Sequence, residues 1–77
     1  MNTTQIAKVE TAAGWAMMVY NPQTFSWHVN LHVEGAAGMD ANEPISQVTA
    51  ALAKFDEFTR LLASLAVYKM LSTPPTA

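Results

Sequence analysis

Residues 24–34 constrain this chain more than any other stretch. Phe25, Trp27, Val29, Leu31 and Val33 occupy one parity, and Thr24, Ser26, His28, Asn30, His32 and Glu34 the other. Successive side chains on a strand point to opposite faces, so unbroken apolar/polar alternation reads as a β-strand with one buried face. The aromatic and β-branched content agrees. Phe25, Trp27, Val29, Leu31 and Val33 are expected to face a core, and His28, Asn30 and His32 to face away from it.

A lone strand leaves its backbone groups unpaired. The nearest partner is the segment 15–20, joined through Asn21-Pro22-Gln23, where Pro after Asn suits a type I turn. Together they predict a β-hairpin over about 15–33. Its register is open: Trp15, Met17 and Val19 form one apolar face, but Met18 and Tyr20 make the other apolar too. Residues 4–11 read as a third, edge strand that returns through Ala12-Ala13-Gly14. The rival reading is a helix over 3–20, with one strand and a sheet completed by dimerisation. Ile6, Val9, Ala13, Ala16, Met17 and Tyr20 fall at helical spacing, and Pro22 follows its end. Gly14 in its middle opposes it.

After the connection Gly35-Ala36-Ala37-Gly38, the run Asp40-Ala41-Asn42-Glu43-Pro44 has the marks of a helix start, with acids and Pro in the first turn. Ile45, Val48, Leu52, Phe55, Phe58, Leu62 and Leu65 then recur at spacings of three and four. The pattern predicts an amphipathic helix over about 43–72, either continuous or broken near 56–59. Thr73-Pro74-Pro75 would end it, leaving 73–77 as a frayed tail. The fold class is α+β: a small antiparallel sheet of two or three strands followed by one long helix, in a single domain over 1–77.

Such a helix would run roughly 40 Å, longer than the roughly 30 Å of the best strand. Its second half carries Phe58, Leu61, Leu62, Leu65, Val67, Tyr68, Met70 and Leu71 around most of the circumference. A helix apolar on most sides needs cover on most sides. Composition points the same way. Charged residues are only 13% of the chain, about half the usual share, and a chain this short buries only about 60% of its unfolded surface. Part of its surface is therefore expected to be covered by another chain. The interface residues expected are Met18, Tyr20, Leu61, Leu65, Tyr68 and Met70, in a two-fold homodimer through the C-terminal half of the helix and the free sheet face.

Other classes are weakly supported. Lys8, Lys54, Arg60 and Lys69 are dispersed among six acids, which argues against nucleic acid. The chain has no cysteine, hence no disulfide, no thiolate and no Cys-based metal site. No charged-then-apolar leader opens it. The charge-free stretch 11–33 is interrupted by Asn21, Pro22, Gln23, Ser26, His28 and Asn30, so no membrane span is expected. A soluble, cytoplasmic chain fits.

Chemistry is equally sparse. His28 and His32 share one strand face but would lie roughly 13 Å apart, too far for one metal ion. Ser26 stands about 7 Å from His28, beyond direct hydrogen bonding. Asp56 and Glu57 are helix neighbours that point apart. Gly35 and Gly38 fall short of a phosphate loop. No catalytic residue, metal ligand or cofactor is assigned. Only His28, His32 and Glu34 could complete a site, across a symmetric interface. The expected function is non-enzymatic binding of a partner protein and of the chain's own copy. Small site-free chains of this size include inhibitors encoded by phages and mobile elements, anti-CRISPR-like proteins among them. The alternatives are a small-ligand carrier, or an enzyme completed across a dimer.

Overall fold

The computed structural model describes residues 3–72. The order is β1 (Thr4–Thr11), β2 (Gly14–Asn21), β3 (Ser26–Val33), β4 (Ala41–Ile45) and α1 (Val48–Ser72). The four strands form one antiparallel sheet in the order β1-β2-β3-β4. The chain is α+β, with one strand more than expected and with strands where the rival helix over 3–20 would have stood. The frayed tail expected over 73–77 lies outside the described residues.

Each connection has a local cause. Between β1 and β2, Thr11 Oγ1 accepts the Ala13 amide at 3.0 Å and closes the turn. Gly14 follows with φ +148°, and a Cβ there would run into the His32 carbonyl. Between β2 and β3, Asn21 Oδ1 accepts the Gln23 amide at 3.0 Å, an Asx turn that starts the reversal. Phe25 ends the loop at φ 55°. In that left-handed conformation its side chain leaves the alternating pattern and is 73% exposed. This corrects the sequence expectation: Phe25 belongs to the turn, and the inward parity is Trp27, Val29, Leu31 and Val33.

The register resolves the two-faced β2. Ala16 pairs with Leu31, Met18 with Val29 and Tyr20 with Trp27. Ala16, Met18, Val29, Leu31 and Val33 are buried against α1. Trp15, Met17 and Val19, opposite His32, Asn30 and His28, lie on the sheet face away from the helix.

The helix expected from residue 43 begins at Val48, and residues 41–45 are the edge strand β4. β3 would otherwise leave its outer edge unpaired, and pairing outweighs the helix-start composition. Pro44 has no N–H to place, so an edge strand tolerates it. Ala41 and Ile45 turn toward the core and pack against it. The connection before β4 contains a single 3-10 turn, Ala37–Met39.

α1 is continuous over 25 residues. It lies over β2 and β3, with far less contact to β1 and β4. Ala51, Phe58 and Leu62 are buried, and Phe55, Leu61, Leu65 and Ala66 pack beside them. Leu65 lies level with Ala13 and Val33 near one end of the sheet, where all three line a small depression. The residues from there to Ser72 carry the helix about 10 Å farther. The molecule is accordingly elongated, 53 × 23 × 20 Å.

Candidate protein-interaction surfaces

The sheet–helix interior is closed. Met18, Val29 and Leu62 are essentially inaccessible; among the described residues no polar residue is buried as a whole, and Asn30 Oδ1 is enclosed without a hydrogen-bond partner. Met18, expected at an interface, is 1% exposed and belongs to the core: its partner Val29 places it under α1. Tyr20 is half-buried, its ring 4.8 Å from that of Trp27. Leu61 and Leu65 are half-buried against the core. Tyr68 and Met70, at 71% and 67% exposure, stand in solvent.

Around Tyr68 the outer side of α1 carries a shallow apolar depression of about 480 Å³, lined by Ala63, Ser64, Val67, Tyr68 and Leu71. At 100° per residue these positions fall on the side of the helix opposite Ala51, Phe58 and Leu62. The C-terminal half of α1 is therefore apolar on two sides, and the sheet covers only one. Ala63 and Ser64 are the small residues of its lining, one turn before the larger Val67 and Tyr68. Arg60 and Asp56 pair with each other at 2.8 Å one turn before it. A second depression, about 240 Å³, lies at the sheet end between Ala13, Val33, Glu34, Ala36, Met39, Leu65 and Lys69.

The open sheet face holds the histidines. His32 Nδ1 donates to Asp40 Oδ2 at 3.2 Å, and its Nε2 lies 3.7 Å from Glu34. Its ring leans on Trp15, centroids 5.6 Å apart. His28 instead meets Asn42 Oδ1 at 3.3 Å. Of the composite-site candidates, His32 and Glu34 come together and His28 stands apart with its own partner. Ser26 is engaged by Thr24, oxygen to oxygen, at 2.6 Å. Asp40, read from sequence as a helix-start acid, is the residue that sequence reasoning missed. Its carboxylate accepts the Val33 amide at 3.0 Å. That bond, followed by the one from His32, holds its pKa below the ordinary carboxylate value. The only signal was its spacing of eight from His32, unreadable without β4.

Among the described residues no group of three or more acidic, His or Cys side chains could hold a metal ion. No helix there is long and apolar enough to cross a membrane. Comparisons with protein-family models, with curated proteins and with solved structures found no match.

Proposed function

We propose that this chain is a non-catalytic protein-interaction module whose docking surface for a partner protein is the outer stripe of α1. One observation carries the reading. Val67, Tyr68 and Leu71 are each at least half exposed on one side of one helical segment, beside a floor of Ala63 and Ser64. Water-exposed apolar side chains grouped this way mark interaction sites. A ridge of large residues beside small ones matches the way helices pack, ridges into grooves. The partner class that fits is an amphipathic helix laid along the stripe.

The carrier reading is less well supported, because the space between sheet and helix is filled by Met18, Val29, Phe58 and Leu62. The enzyme reading has only His32 with two carboxylates on an open face. An inhibitor from a mobile element is one module of the proposed kind. Self-association belongs to the same proposal, since a chain with so few charges has surface to spare on more than one side.

Affinity capture from the cell of origin, or from its host, tests the proposal with two baits. The wild-type chain is expected to retain a discrete partner. The double variant Tyr68→Glu, Leu71→Glu is expected to lose it while keeping its helical circular dichroism, because neither side chain touches the core. Equal retention by both baits would overturn the assignment of the surface.

A further inference from the structure

Among the described residues the sheet has two unpaired edges, β1 and β4, and they differ. β4 is five residues long with Pro44 near its middle, and β-edges blunted in that way resist further pairing. β1 is eight residues long and contains neither Pro nor Gly. α1 sits over β2 and β3, so the helix-facing side of β1 is only partly covered. Val9, opposite the buried Ala16, is still 36% exposed.

We propose that β1 pairs antiparallel with β1 of a second copy, about a two-fold axis at Val9, to give one eight-stranded sheet. The proposal gives a place to the self-association contained in the functional reading and uses a surface separate from the α1 stripe. Charge complementarity selects the register. Lys8 and Glu10 lie on the open face, opposite Met17 and Trp15. They pair within the chain at 3.0 Å, and the Lys8 ammonium lies 5.5 Å over the Trp15 ring. With both helices on the same side of a joint sheet, opposed residues must share a face, which leaves only registers centred on a residue. Centring on Lys8 sets ammonium against ammonium, and centring on Glu10 sets carboxylate against carboxylate. Centring on Val9 sets each Lys8 against Glu10 of the other copy. Opposite charges directly across a ladder stabilise, and like charges destabilise.

The same register closes the other face. Val9 meets Val9, and Ala7 meets Thr11, all on the side where α1 leaves β1 partly open. Pairing then uses residues 7–11 of each chain. It stops where the β1 ladder is irregular, between Gln5 and Ala7, because a bulge bends a strand away from a straight partner. The two α1 helices would flank the seam on one face, so the dimer would present two outer stripes.

Light scattering coupled to size exclusion reads the result. The wild-type chain is expected at twice its 8.4 kDa mass. Lys8→Glu and Glu10→Lys, each setting like charges across the seam, are expected to fall to the single-chain mass. The double variant Lys8→Glu, Glu10→Lys restores complementarity and is expected to return to the dimer mass. Far-ultraviolet circular dichroism checks that each variant is folded. A wild-type chain that stays at 8.4 kDa overturns the proposal, as do folded single variants that keep the dimer mass. Folded single variants that dissociate without rescue in the double variant overturn the Val9 register. Tyr68→Glu, Leu71→Glu is expected to remain dimeric while losing the partner, so failure on one surface is distinguishable from failure on the other.

Discussion

Asp40 clasps His32 across the β3–β4 connection, its Oδ2 3.2 Å from His32 Nδ1 while its Oδ1 accepts the Val33 amide at 3.0 Å. One carboxylate thus joins the end of β3 to the segment that starts β4. Both bonds favour the charged form and hold its pKa below the ordinary carboxylate value. A carboxylate depressed in the folded state stabilises above its unfolded pKa, and the contribution disappears as pH falls through the folded pKa. Asp40→Ala is therefore expected to lower stability at neutral pH, with the difference from wild type shrinking in acid. Urea unfolding across the acid range measures it. A difference constant with pH would show that Asp40 does not act through its charge.

Gly14 is the position least tolerant of a side chain. Its φ of +148° disfavours any L residue, and a Cβ would meet the His32 backbone, which cannot swing away as a side chain can. Gly14→Ala is expected to destabilise by about 2 kcal/mol or more, from strain and overpacking together. A thermal midpoint equal to wild type would contradict the β1–β2 turn geometry.

Phe25 offers the opposite case. It holds φ 55° while its ring is largely in solvent. A bulky residue there carries strain of roughly 1–2 kcal/mol that glycine does not. Phe25→Gly is expected to raise stability by about 0.5–1 kcal/mol, since little burial is lost. Chemical denaturation with unchanged m-value would support this. A loss of stability would mean that the ring packs more than its exposure indicates.

The two faces of β2 can be separated by adjacent methionines. Met18 is buried and Met17 half-buried on the open face. Met18→Ala is expected to cost about 2–5 kcal/mol, and Met17→Ala clearly less. The reverse order would invert the sheet.

The alternation of residues 27–33 was legible because one face meets α1 and the other meets solvent. β2 was not, because Trp15, Met17 and Val19 stay on the open face as an apolar row, and only pairing tells the two sides apart. From Phe55 on, the inner positions of α1 follow the three-and-four spacing of Phe55, Phe58, Leu62 and Leu65, whereas Val48 and Leu52 of the same stripe are exposed, Ala51 takes the inner place, and Ile45 belongs to β4. Its start was misplaced because Asp40, Glu43 and Pro44 suit a first helical turn, whereas the role of β4 is set by the free edge of β3. The exposure of Tyr68, on the candidate surface, and of Met70, to one side of it, was readable from the excess of apolar residues on one helix. Met18 was not separable from them, since its burial depends on a cross-strand neighbour, Val29.

The central claim is that the outer stripe of α1 binds a protein. A photo-crosslinking amino acid placed at position 68 in cells tests it most directly, with position 53, exposed on the N-terminal half of the same helix, as the control. The account predicts one discrete covalent adduct from position 68 after illumination and none from position 53. No adduct from either position, or the same adducts from both, would contradict it.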